Sequence, residues 1–228
     1  MLACVFALAS PAADAHGQTH GVSLPVVACK MSDTQPVSIG APRQLRAKVP
    51  VALASKLTFY AAATLVVLAP RGWSCSGGLS PEGGVSMLVS NPRAGSFRIG
   101  QRIALPQQAV SVEAAAAETS QPLFIACAYF RDAAVRLARA SLACARTPGQ
   151  RGETGTRSDP HTYTFQDLAR VSGTGYPSGG RNPAQGFVVW LPTLDASLTA
   201  TCTLPAAYGA DCTAILASLH ASWLSNTA

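Results

Sequence analysis

The sequence carries few charged side chains and no long apolar run. Only 12% of its 228 residues are charged, about half the share of roughly 25% that is usual in soluble domains. The most hydrophobic stretch beyond the N-terminus, residues 49–70, is interrupted by Pro50, Ser55, Lys56 and Thr58. No membrane-spanning helix is therefore predicted in the mature chain. A disordered chain is excluded as well, because 48% of the residues are hydrophobic.

Lysine is scarce, and no basic cluster occurs. The 17 basic residues give a formal net charge of +6, and they are spread along the chain. A nucleic-acid interface needs positive charge gathered on one face, with aromatic residues interleaved on single-stranded targets. The sequence therefore predicts no nucleic-acid partner.

Metal-binding motifs are absent from the sequence too. It contains no C-x-x-C pair, and its only histidines are His16, His20, His161 and His220. Structural zinc sites need four such ligands at short, regular spacing. No metal or cofactor is predicted.

The N-terminus has the pattern of an export signal. Residues 1–9 form a short apolar run, and Ala13 and Ala15 provide the small residues that a signal peptidase requires. The prediction is a signal peptide at 1–15, a mobile N-terminus at 16–23 and a secreted or extracytoplasmic location associated with the cell envelope. No basic residue precedes the apolar run, so either the signal is atypical or the true start codon lies upstream of Met1.

Six cysteines remain after cleavage, an even number that in an exported protein predicts three disulfides. They are Cys29, Cys75, Cys127, Cys144, Cys202 and Cys212. Cys202 and Cys212 are the favoured pair, because Pro205 and Gly209 between them let the chain reverse. A continuous helix would separate Cys127 from Cys144 by about 25 Å, so these two pair only if the helix is short and one cysteine lies beyond a turn. The pairing of the other four stays open among the alternatives.

The periodicity predicts an α+β fold with a mostly antiparallel sheet, two main helices packed on it, and a single disulfide-stabilised domain over residues 24–228. Strands are predicted at 24–29, 46–53, 64–69, 85–89, 161–165 and 187–191, and helices at 130–142 and 211–224. Residues 110–117 fit either state. Residues 147–159 contain no apolar residue larger than proline and are predicted as a surface loop.

One constellation suggests a serine-type hydrolase. Ser74 follows a predicted strand, where a nucleophile elbow would place it, and His161 and Asp159 could serve as base and orienting carboxylate. The elbow needs glycine on both sides of the serine, but Ser76 occupies the second of those positions. With Cys75 adjacent, a structural role for this segment is the favoured interpretation, and the triad is the alternative.

The most distinctive segment is the glycine-rich stretch at 173–186. Its backbone N–H groups and the Arg181 guanidinium could hold an anion or a glycan. The predicted ligand-binding residues are Tyr176, Ser178, Gly179, Gly180 and Arg181.

Segments 68–75, 176–181, 202–205 and 211–213 are similar to those of a group of uncharacterised exported proteins from actinobacteria. The resemblance implies a secreted bacterial protein and supplies no catalytic residues. The function predicted from the sequence is a non-catalytic extracytoplasmic domain that binds a cell-envelope component or a protein. A secreted serine-type hydrolase is the first alternative, and a secreted protease inhibitor, for which the cysteine density is low, is the second.

Overall fold

Antiparallel strands dominate the structure. The computed structural model describes residues 19–31, 43–79, 84–99, 103–116, 120–144, 153–170 and 181–227. The strands are β1 (Thr19–Ala28), β2 (Lys30–Met31), β3 (Gln44–Pro50), β4 (Leu57–Ala62), β5 (Leu65–Pro70), β6 (Ser74–Leu79), β7 (Val85–Ser90), β8 (Ser96–Ile99), β9 (Ile103–Pro106), β10 (Ala109–Ala115), β11 (Glu153–Asp159), β12 (Thr162–Asp167), β13 (Ala184–Leu191) and β14 (Ala196–Thr203). The helices are α1 (Val51–Ala54), α2 (Gln121–Ala126), α3 (Arg131–Arg139) and α4 (Gly209–Thr227), with a 3₁₀ turn at Ala206–Tyr208.

The strands form two main sheets. The large sheet has the order β11-β12-β13-β14-β10-β7-β6-β2, and the small sheet has the order β3-β1-β4-β5. Within the described residues, the strand pairs are antiparallel except for β1 with β4 and β2 with β6, which are parallel. β8 and β9 make a separate hairpin. Helices and a mostly antiparallel sheet are thus confirmed.

Strand β13 shows how the large sheet buries both of its faces. Phe187 and Val189 belong to the main core, which also contains residues of the small sheet and α4. Val188 and Trp190 belong to a second apolar cluster with residues of α2 and the start of α3. Successive side chains of a strand point to opposite faces, so a continuous apolar run such as 187–191 marks a strand covered on both sides.

The two predicted helices are present, but only one packs directly on the sheets. α4 contacts β13 and β14 of the large sheet and β3 and β5 of the small sheet. α3 packs mainly on α2, and α2 in turn contacts β13 and β14. α2 is not predicted from the sequence, because its six residues include Pro122 and give too little periodicity to be recognised.

Three disulfides join the predicted cysteines: Cys29–Cys75, Cys127–Cys144 and Cys202–Cys212. The favoured Cys202–Cys212 pair is confirmed. Cys127 can pair with Cys144 because no continuous helix joins them. α2 ends at Ala126, just before Cys127. After α3, Ser141 adopts a left-handed conformation with φ of 59°, which turns the chain before Cys144. Cys29–Cys75 connects the end of β1 in the small sheet to β6 in the large sheet.

Two boundaries differ from the sequence prediction. β1 begins at Thr19, so residues 19–23, predicted as part of a mobile N-terminus, pair with β3. Residues 153–159 of the predicted surface loop form β11, which pairs with β12 at the edge of the large sheet. β11 is almost entirely exposed, so it lacks the apolar alternation by which a strand is recognised. The ambiguous residues 110–117 are mostly strand β10.

Among the described residues, no helix has both the length and the apolar character needed to cross a membrane. The same part of the chain contains no cluster of three or more histidine, cysteine, aspartate or glutamate side chains suited to a metal ion. The predicted signal peptide at 1–15 lies outside the described residues.

Candidate functional site

A groove of about 680 Å³ lies between α4 and the β11-β12-β13 end of the large sheet. We call it the α4 groove. Its volume falls within the range of about 300–1,000 Å³ that is usual for ligand sites. The groove is lined by side chains of β11, β12, β13 and α4, which the fold brings together from three distant segments of the chain.

The strand register explains which side chains face the groove. Gln185 of β13 pairs with Gln166 of β12, which pairs with Thr154 of β11. The next row along the strands is Phe187, Thr164 and Thr156, and the third is Val189, Thr162 and Asp159. Cross-strand partners share one face of a sheet, so each row presents polar groups from β11 and β12.

Helix α4 is fastened at both ends of the groove. Oγ1 of Thr213 lies 3.3 Å from Oε1 of Gln185 and 3.1 Å from the carbonyl oxygen of Gly209, so its one hydrogen is shared between these two acceptors. Nε2 of His220 lies 3.0 Å from Oγ1 of Thr162. Thr213 and His220 are seven residues apart, which places them on one side of the helix. Ala217, which is exposed between them, leaves the middle of the groove open.

His220 lies half-buried at one end of the groove. Its ring meets the Phe187 ring edge-on at a centroid distance of 5.1 Å. Burial lowers the pKa of His220 below its ordinary value, and the nearby Asp159 carboxylate opposes part of that effect. Burial therefore favours the neutral form of the imidazole.

Asp159 serves the turn between β11 and β12. Its Oδ1 accepts the backbone N–H of His161 at 2.7 Å, the contact of an Asx turn. Burial acts to raise the pKa of Asp159, but the hydrogen bonds from His161 and Thr162 and the nearby His220 together bring it below its ordinary value. Asp159, Thr162 and His220 thus form a chain of carboxylate, hydroxyl and imidazole at the end of the groove.

The groove has no basic side chain in its described lining. Arg157 of β11 points to the opposite face, where its guanidinium stacks on Phe130 at 5.1 Å and donates to the carbonyl of Tyr129. The ionisable residues in the described lining are Asp159 and His220, and the rest of the polar lining is hydroxyl and amide. The described lining accordingly carries one formal charge, that of the Asp159 carboxylate at one end of the groove.

The residues of the predicted hydrolase triad are not assembled in the structure. Ser74 lies on β6, five strands away from β12 in the large sheet, a lateral separation of about 24 Å at the usual strand spacing. β5 and β6 are joined by a turn through Gly72, whereas a nucleophile elbow joins a strand to a helix. Asp159 contacts the backbone of His161 rather than its ring.

The predicted ligand-binding segment is described only at its end. Tyr176, Ser178, Gly179 and Gly180 lie outside the described residues. Arg181 is exposed, and its backbone N–H donates to Oε1 of Gln107 at 3.0 Å. The segment belongs to the connection from β12 to β13. β12 ends and β13 begins at the end of the sheet where Gln166 pairs with Gln185 in the α4 groove.

Most of the groove is not predicted from the sequence. Thr162 and Thr164 are polar positions of the predicted strand 161–165, Gln166 falls just beyond it, and Thr213 and His220 lie seven residues apart on the predicted helix 211–224. Neither pattern shows by itself that the two faces meet. The contact between α4 and β12, made by His220 and Thr162, depends on the three-dimensional structure and has no signal in the sequence.

Comparison of the chain with models of known protein families finds no match. Comparison with curated protein sequences also finds none.

One consequence of the buried histidine is a dependence of stability on pH. The pKa of His220 is lower in the folded protein than its ordinary value of 6.5, so the unfolded chain binds the proton more readily. We expect the free energy of unfolding to fall as the pH drops from about 7.5 to about 5, by less than about 1 kcal/mol because half-exposure screens the charge. Urea unfolding at the two pH values measures the change.

His220→Gln is the control for this expectation, because it keeps a hydrogen-bonding group beside Thr162 and removes the titration. The variant should show a smaller loss of stability over the same interval. Asp159 should not add to this change in stability, because its pKa is lowered and its own effect on the free energy of unfolding is confined to lower pH. An equal loss in both proteins would contradict the assignment to His220.

Proposed function

We propose that the protein is a non-catalytic extracytoplasmic domain that binds a cell-envelope component or a protein, with the α4 groove as its ligand site. The observation that carries this proposal is the groove itself, whose polar wall on β11 and β12 is exposed at Thr154, Thr156 and Gln166. These side chains are presented on a rigid paired sheet and are open to a ligand.

The two ionisable groups of the groove support a binding role over a catalytic one. The Asp159 carboxylate accepts hydrogen bonds that hold a turn. His220 contacts Thr162, whose side chain is 1% exposed. A catalytic base needs a proton acceptor within reach of a substrate or nucleophile, and both groups are engaged with the fold instead.

The extracytoplasmic location is supported by the three disulfides. Such bridges form and persist in oxidising compartments and are rare in the cytosol. The sequence resemblance to exported actinobacterial proteins points to the same location.

Ala217→Trp tests the groove as the ligand site. Ala217 is exposed in the middle of the groove, so an indole there would fill the space without replacing a core residue. We expect binding to a purified bacterial cell-wall preparation, measured by co-sedimentation, to weaken at least about tenfold, equivalent to about 1.4 kcal/mol.

The matched control is Ala210→Trp, which adds the same side chain to an exposed position in the first turn of α4 outside the groove. It should bind as the wild type does. Equal binding by Ala217→Trp and the wild type would reject the groove as the site. A wild-type protein that binds neither wall material nor wall-associated protein would remove the proposed function.

A further inference from the structure

We infer that the ligand of the α4 groove is a neutral glycan. The inference rests on the proposed function and specifies the class of ligand for the same site. It is carried by the hydrogen-bonding character of the lining, by its charge and by the way in which the sheet is paired beneath it.

The polar lining consists of groups that both donate and accept. Hydroxyl and carboxamide side chains each offer a donor and an acceptor, and sugar hydroxyls do the same. The hydroxyl and amide side chains of the groove are Thr154, Thr156, Ser158, Thr162, Thr164, Gln166, Gln185 and Thr213. Five of them, Ser158, Thr162, Thr164, Gln185 and Thr213, already contact groups of the fold, and Thr154, Thr156 and Gln166 are exposed to a ligand. A ligand rich in hydroxyl groups can satisfy such a wall in several orientations, whereas a ligand with donors or acceptors alone would leave part of it unpaired.

The charge of the groove disfavours ionic ligands. An anion would be expected to meet arginine or lysine, and none lines the described groove, since Arg157 is turned to the other face. The one carboxylate of the described lining, Asp159, lies at one end of the groove, where it accepts the His161 N–H. The wall formed by Thr154, Thr156 and Gln166 offers no charge to a cation. A neutral ligand therefore fits best.

The sheet pairing disfavours an extended peptide added as a strand. Strand addition requires unpaired backbone groups at a sheet edge. The floor of the α4 groove is the face of β12 and β13, each of which is paired on both sides, and the free edge of the large sheet here belongs to β11. A strand added to β11 would extend the sheet beyond the groove wall and would not lie on this floor. Across its described residues, the floor of the groove therefore presents side chains to a ligand and no unpaired backbone groups. This arrangement suits a ligand that is recognised through its hydroxyl groups.

The floor also supplies apolar contact. Phe187 and Leu216 lie among the lining residues between the polar rows and α4. Sugar rings have an apolar face formed by their C–H groups, which packs against such carbon surfaces while the hydroxyls reach the rim.

The experiment has two arms. In the first, the cell-wall preparation is treated either with periodate, which cleaves vicinal diols, or with protease, and binding of the full chain is measured by co-sedimentation. In the second, soluble cellohexaose, maltohexaose, mannohexaose and chitohexaose are titrated by calorimetry, with a heparin hexasaccharide as the anionic comparison. The second arm shows whether a free oligosaccharide binds as well as an insoluble wall polymer. It includes chitohexaose because the internal residues of this glycan resist periodate, so the first arm would not detect a ligand of that type.

The expected result is binding to at least one neutral probe that is weakened at least tenfold by the double variant Thr156→Ala/Gln166→Ala. Both positions are exposed in the groove, so the fold should be retained. The double variant Thr64→Ala/Gln44→Ala removes the same groups from exposed positions outside the groove and should change binding less than twofold.

Three outcomes would overturn the inference. They are binding that protease abolishes and periodate leaves intact, binding to the heparin probe alone, and neutral binding that is unaffected by Thr156→Ala/Gln166→Ala. The first two leave the proposed function standing if Ala217→Trp still weakens wall binding, because they replace only the ligand class. Failure of wild-type binding to every wall preparation would instead remove both proposals.

Discussion

Removing the Cys29–Cys75 bridge by the double variant Cys29→Ala/Cys75→Ala should lower the free energy of unfolding by about 4 kcal/mol, the largest effect among the three bridges. Its cysteines are 46 residues apart, compared with 17 and 10 for the other two pairs. A longer closed loop restricts the unfolded chain more, so its opening releases more entropy. The same relation gives about 3 kcal/mol for each of the shorter loops.

The position of this bridge adds a second reason. Cys29 follows β1 of the small sheet, and Cys75 lies in β6 of the large sheet. Without the covalent link, the two sheets are held through their apolar contacts and α4. The bridge is therefore expected to make the unfolding of the two sheets cooperative, as well as to restrict the unfolded chain.

Urea unfolding of the three double cysteine-to-alanine variants measures these differences. The order of destabilisation should follow loop length, with Cys29→Ala/Cys75→Ala first and Cys202→Ala/Cys212→Ala last. If the variant of the shortest loop were the least stable, the entropic account would be wrong. The cause would then lie in the core around Cys202 and Cys212, which are both buried.

Much of the fold could be predicted because alternation and helical period are local properties. Residues 187–191 and 211–224 predicted β13 and most of α4 for this reason. β14 escaped prediction because serine and threonine alternate there with alanine, leucine and cysteine. All eight of its residues are buried, since α2 covers the hydroxyl face. An alternation of polar and apolar residues, which is typical of a half-exposed strand, thus occurs in β14, a strand that is buried on both faces.

The candidate site was less predictable than the fold. The α4 groove depends on the pairing of β11 with β12 and on the contact of His220 with Thr162, which are 58 residues apart. Residues 153–159 have the composition of a loop, and their exposure at the sheet edge is also what opens the groove to a ligand. Composition signals exposure but not the surface on which an exposed residue lies.

Gly186→Ala should destabilise the protein by about 3 kcal/mol, the upper part of the usual range for overpacking. Gly186 lies in β13 between β12 and β14. A Cβ at this position would collide with the carbonyl oxygen of Ala200 and with the Phe165 ring. The carbonyl belongs to a paired strand, and Phe165 is buried in the second apolar cluster, so neither can move aside at low cost.

Gly21→Ala provides the matched control in β1. A Cβ there meets only the Arg46 guanidinium, at 3.8 Å and 3.9 Å, which is ordinary contact with a flexible side chain. This variant should be neutral or slightly stabilising, because alanine loses less backbone entropy than glycine on folding. Chemical denaturation of both variants compares the two sites directly. Equal free energies of unfolding for the two variants would contradict the close approach of β13, β14 and Phe165. They would also contradict the position of β13, one of the strands that form the floor of the α4 groove.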